Sequence, residues 1–187
     1  MQQKQLGNIT KAVAIRNRRI VSLFLYLSAS LALLSIGLSF LDSFALANEM
    51  VENSYYSVVQ IILGVSGLTL NYLMLSCLVV SVIGGLLTLV TAIMSSIRKK
   101  YTPSFALIMA LAIVSLTYAF VVSLLFPVVI TASLSELNNP IALVRVMWPI
   151  YVMSGLLGLS MIVNFGLLVY ASIDAYAVSG TKNILKK

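Results

Sequence analysis

Apolar positions gather into four long stretches that contain no charge. The first covers residues 20–41. The second is the 45-residue interval between Glu52 and Arg98. The third runs over 101–135, and the fourth is the 28-residue interval between Arg145 and Asp174. A helix needs about 20 apolar residues to cross about 30 Å of hydrocarbon, so each stretch is long enough. The 45-residue interval is too long for one crossing, since a single helix would run about 68 Å at 1.5 Å per residue. The pattern predicts four spans, at 20–41, 72–97, 104–132 and 147–173. Residues 42–71 and 133–146 form loops at one end. Residues 98–103 form a turn at the other. The expected fold class is all-α, a four-helix membrane bundle with an additional apolar outer segment, and residues 1–187 form one integral membrane domain.

That segment is 57–70. It is apolar, β-branched and interrupted by Gly64 and Gly67. Irregular backbone cannot face lipid unpaired. The segment is therefore expected as a hairpin, a re-entrant hook or an interfacial helix that caps the outer end of the bundle. With Tyr55 and Tyr56, its Ile61 and Ile62 are the candidate partner surface.

Charge orients the spans. Lys4, Lys11, Arg16, Arg18 and Arg19 precede the first; Arg98, Lys99 and Lys100 separate the second from the third; Lys182, Lys186 and Lys187 follow the fourth. Eleven of the twelve basic residues thus fall on one side, and only Arg145 falls on the other, with Asp42, Glu49, Glu52 and Glu136. The positive-inside rule places both termini in the cytoplasm, and a plasma-membrane location is expected. The net charge of +7 also favours anionic inner-leaflet lipids; no nucleic acid is expected as a partner. Residues 1–19 carry Leu6, Ile9 and Val13 at helical spacing among basic residues, which predicts an amphipathic segment on the inner leaflet. Residues 174–187 form a cytoplasmic tail. The basic start and Ala45-Leu46-Ala47 have the look of a cleavable signal, but an apolar run of 22 residues exceeds an ordinary signal core, so the first span is expected as a retained helix.

Local signals agree. Thr102-Pro103 reads as an N-cap followed by proline at the first helical position, Pro127 should kink the third span, and Trp148 and Tyr151 suit a head-group level.

Composition narrows the chemistry. Sixty per cent of residues are apolar and 9% charged, against about 45–50% and 25% in soluble domains. There is no histidine, one cysteine and five acidic residues. Haem or zinc sites and a catalytic constellation find too few candidate groups, so neither cofactor nor enzyme activity is expected. Asn8-Ile9-Thr10 matches a glycosylation acceptor on the expected cytoplasmic side and is discounted.

The second span carries Cys77, Ser81, Gly84, Thr88, Thr91 and Ser95 at alternating spacings of four and three, which set all six on one helical stripe. The first span offers Ser28, Ala32, Ser35 and Ser39, and the third Ala112, Ser115, Ala119 and Ser123. The fourth offers Gly155, Gly158 and Gly166, with Asn164 as an interhelical hydrogen-bonding group. Small residues let helices approach closely within lipid, so these positions are expected to pack helices. A pore lining is the alternative. Asp174, near the inner end of the fourth span, is a possible gate or an inner-interface carboxylate.

In its tetraspan layout the chain resembles claudin-like and MARVEL-type proteins. Claudin and tetraspanin outer loops rely on cysteine pairs, and this loop has none, so the likeness is one of topology and assigns no family. The expected function is association without catalysis, as an accessory subunit or scaffold bound to other membrane subunits or to copies of itself. A channel or transporter component is the alternative.

Overall fold

The computed structural model describes residues 2–48, 51–64, 72–97, 102–136 and 143–184. Its elements are α1 (Gln2–Leu38), β1 (Asp42–Asn48), β2 (Val51–Ser57), α2 (Val58–Ile62), α3 (Tyr72–Ile97), α4 (Pro103–Glu136), β3 (Leu143–Val146) and α5 (Trp148–Ile184). Four helices are long and apolar enough to cross a membrane, over Arg18–Leu38, Tyr72–Ile97, Pro103–Ala132 and Trp148–Ile173. They pack as a ring: α1 lies against α3 and α5, and α4 closes the ring against the same two.

The helix ends follow their local chemistry. Thr102 caps α4, its hydroxyl accepting from Phe105 N–H at 3.4 Å and its carbonyl from Ala106 N–H at 3.3 Å. Pro103 occupies the first helical position, where its missing N–H costs nothing. The helix continues through Pro127 to Glu136. The basic segment 2–19 is helical and continuous with the first span, both lying in α1. Likewise the helical path of α5 extends to Ile184, through most of the expected tail.

The all-α expectation needs correcting at one end. The loops at 42–71 and 133–146 meet in a three-stranded antiparallel sheet of order β2-β1-β3. In β1, Phe44 stands opposite Tyr56 on one side and Val146 on the other, and Ala45 stands opposite Tyr55 and Arg145. Met147 N–H to Ser43 O, at 2.9 Å, carries the pairing on to the start of α5. The strands exist because both loops rise from adjoining helices and must satisfy their backbone groups beside an apolar bundle end. Pairing with each other does this for both.

The apolar segment 57–70 begins as the end of β2 and turns into α2. Ser57 and Gln60 form a reciprocal capping box: Gln60 N–H donates to Ser57 Oγ at 3.2 Å and Ser57 N–H to Gln60 Oε1 at 2.8 Å. Val59 N–H reaches Ser39 O at 3.2 Å, which ties the short helix to the end of α1. Gly64, at φ 74°, then takes the left-handed turn that glycine adopts without strain. The rest of the segment, with Gly67, lies outside the described residues.

Two apolar cores result. One lies under the sheet and is built on Phe44, Val58, Ile61, Met74, Phe126 and Ile150. The other lies toward the end bearing the termini and is built on Val21, Leu25, Ala92, Phe105, Met109 and Ala171. Large apolar side chains elsewhere on the four helices point outward, Leu23, Val114, Val128 and Ile162 among them. That is the inside-out distribution expected where the surroundings are hydrocarbon.

Candidate functional site

The α3 stripe is buried at all six positions. Cys77 Sγ donates to Ala119 O on α4 at 3.3 Å. Ser81 Oγ turns back to Leu78 O, Thr88 Oγ1 to Gly84 O and Thr91 Oγ1 to Thr88 O, at 2.7–2.8 Å. Returning the hydroxyl to its own helix hides the polar group and leaves a small, smooth face for a neighbour. At Gly84 the approach is closest: an added Cβ would stand 3.0 Å from Leu116 Cγ and 3.2 Å from Ser115 Cβ. The neighbouring Gly85 does the same toward α1, 3.5 Å from Ala32 Cβ. The small positions Ser28, Ala32 and Ser35 of α1 and Ser39 just past its end are also buried, as are Ala112, Ala119 and Ser123 on α4.

On α5 the expected positions divide. Gly158 is buried, and a Cβ there would meet the Phe120 ring at 3.0 Å. Gly155 and Gly166 are exposed, with nothing within 4 Å of an added Cβ. Neither is a packing position within the chain. The inward face of α5 runs instead through Ile150, Met153, Ser154, Leu157, Ser160 and Asn164. Stepping back from Asn164 by fours and threes finds this face in the sequence, whereas the glycine spacing does not.

Ser160 and Ser154 were missed by the search for small residues, and both carry interhelical hydrogen bonds. Ser28 Oγ and Ser160 Oγ lie 2.7 Å apart, and each also lies 3.0 Å from the other's carbonyl oxygen. This clasp joins α1 to α5. Ser123 Oγ and Ser154 Oγ, 2.8 Å apart, join α4 to α5. Asn164 Nδ2 donates to Thr88 Oγ1 at 3.0 Å and so spans the ring from α5 to α3. Ser28, Thr88, Ser160 and Asn164 thus make a polar layer between the two apolar cores.

Such bonds are modest in lipid, averaging about 0.6 kcal/mol and reaching about 1.7. A double-mutant cycle on Ser28→Ala and Ser160→Ala, read by unfolding in mixed micelles, should return a coupling of about 0.6–1.7 kcal/mol. A coupling of zero would mean that the clasp does not hold the two helices together.

The candidate partner surface also divides. Tyr55 is exposed, whereas Tyr56 packs against the sheet-end core. Ile61 and Ile62 are 1% and 3% exposed and belong to that core. Within the chain they share one core with Phe44, Met74 and Ile150 and so point inward. Asp174 lies in the helical path of α5, just past its apolar stretch, and its side chain is outside the described residues. Among the described residues no three histidine, cysteine or acidic side chains gather as a metal site.

No family model, curated protein or solved structure matches this chain.

Proposed function

We propose that the chain is a non-enzymatic integral membrane protein that works by association, as an accessory subunit or scaffold of a larger membrane complex. The observation that carries this reading is how the inside of the ring is used. Gly84 against Leu116, Gly158 against Phe120 and the Ser28–Ser160 clasp bring the helices together with little room between them. A closed interior leaves the outward faces and the sheet end for interaction. Exposed Tyr55 on β2 and the exposed Ser76–Tyr118 hydroxyl pair, 2.7 Å apart on the flank of α3 and α4, are among the polar features available there. The partners on this reading are the bilayer with its anionic inner-leaflet lipids, and other membrane subunits or further copies. On this reading both termini are cytoplasmic, in keeping with the distribution of basic residues, and the membrane is the plasma membrane.

A channel or transporter component is the second reading. It rests on the hydroxyl-bearing stripe and on Asn164, whose Oδ1 is buried without a hydrogen-bond partner.

Extraction in mild detergent followed by native mass measurement separates the outcomes. A complex containing another chain supports the subunit reading, and several copies of this chain support the scaffold. A mass of one chain under every mild condition would overturn association.

A further inference from the structure

The two cores differ in how their polar groups are treated. On the sheet side every buried serine among the described residues holds a hydrogen bond, including Ser35, Ser39, Ser43, Ser81, Ser123 and Ser154. From the middle layer toward the termini, Asn164 Oδ1 and Ser95 Oγ are buried without such a partner. Both residues are well within the interior, at 0% and 5% exposure.

The orientation of the Asn164 amide follows from counting protons. Thr88 has one hydroxyl proton, and Gly84 O receives it at 2.8 Å. Thr88 can therefore only accept from Asn164, and the contact at 3.0 Å must be made by Nδ2. Turning the amide over would bring two acceptors together. The carbonyl Oδ1 is thus left facing the interior with no donor, which is costly for a buried polar group. An acceptor of this kind calls for a donor from outside the chain.

Ser95 lies two turns from Thr88 along the same stripe, with Thr91 between them. At its level Phe105 and Ala171 pack with Ala92, one turn from Ser95. Phe105 and Ala171 also line a groove of about 250 Å³ between α4 and α5, whose rim carries the hydroxyl-bearing Thr102 and Ser172. Along α3, Ser95, Thr91 and Thr88 run from the termini end to the middle of the ring, and Phe105 and Ala171 stand between the groove and Ala92 on the same helix.

We propose that this is a one-ended hydration path: water enters beside Phe105 at the termini end, passes Ser95 and stops at Asn164 Oδ1, while the core under the sheet stays dry. Water satisfies both orphaned groups, as buried water commonly does for polar groups inside proteins. The path ends where the fully buried Leu116, Ala119 and Leu157 close the ring. It rests on the membrane setting and not on association, so the mass measurement and the hydration measurement can fail independently.

The test is water-edited solid-state NMR on the full chain in phospholipid bilayers. Val163-Asn164 is the only Val-Asn pair in the sequence and Cys77 the only cysteine. Labelled valine and asparagine therefore identify the Asn164 side chain, and labelled cysteine identifies a reference in the dry half. Water magnetisation should reach Asn164 Cγ several-fold faster than Cys77 Cβ. Equal, slow transfer to both would overturn the proposal. Ser95→Leu should then slow transfer to Asn164 several-fold and leave Cys77 unchanged, with Ser95→Val serving if the leucine variant does not fold. Unchanged transfer to Asn164 in a folded Ser95 variant would refute entry from the termini end.

Discussion

Gly84→Leu should cost about 3 kcal/mol or more of bundle stability, while Gly166→Leu should change it by about 0.5 kcal/mol or less. The contrast comes from what each side chain would meet. At Gly84 even a single Cβ stands 3.0 Å from Leu116 Cγ and 3.1 Å from Leu116 Cδ2. Leu116 is fully buried and cannot swing aside. A leucine adds three further carbons on the same line and must drive α3 and α4 apart, which also strains the Cys77–Ala119 contact above. At Gly166 the same substitution points outward, with nothing within 4 Å of its Cβ. Gly155→Leu belongs with Gly166→Leu for the same reason. Reversible unfolding in mixed micelles gives all three values. A Gly84→Leu protein as stable as the parent would mean that α3 and α4 do not meet there, and the closed interior would lose its principal support.

The four helices were legible because lipid imposes a coarse rule: a stretch must be long, apolar and uncharged. The expected second span, roughly Tyr72–Ile97, is the stretch that α3 occupies, with Thr102-Pro103 and the basic turn marking one side of it. The α3 stripe was legible too, because cysteine, serine, glycine and threonine recur with the 3.6-residue period. Glycine alone misled on α5. Gly155 and Gly166 lie off the inward face, and nothing about a lone glycine tells which face needs it. The sheet was hidden for a different reason. The two residues between β1 and β2, Glu49 and Met50, are not the Asn-Gly or Gly-rich pair that flags a tight hairpin. The third strand is only four residues long and comes almost a hundred residues later. Its pairing with Phe44 and Ala45 depends on α1 and α5 being neighbours, a fact of packing that no local pattern contains. The serine clasp was hidden in the same way, since Ser28 and Ser160 find each other only once those helices are side by side.

Ile61→Glu should destabilise the sheet end by about 3–5 kcal/mol, the range for a charge left buried without a partner, whereas Tyr55→Glu should leave stability within about 0.5 kcal/mol. Ile61 is 1% exposed and packs in the core formed by Phe44, Val58, Met74 and Ile150. A carboxylate at that position finds no cation among these neighbours, and its desolvation falls on α2. The helix is five residues long, too short to persist alone. It is held by the Ser57–Gln60 box, by Val59 N–H on Ser39 O and by this burial. When Ile61 is expelled, α2 leaves the bundle, and β2 loses its continuation with it. Phe44, at the centre of the β1 pairing, then loses its cover. Hydrogen exchange should report this as faster exchange of the Val59 and Gln60 amides and of the β1–β2 ladder, with the α3 and α4 amides little changed. Tyr55 occupies the other situation: it is exposed on β2, and a charge there meets solvent or a partner. If Ile61→Glu leaves exchange and stability untouched and only assembly is lost, α2 is an outward surface after all. If Tyr55→Glu weakens assembly with exchange unchanged, the outward face of β2 is a contact surface, and α2 is the buried support that positions it.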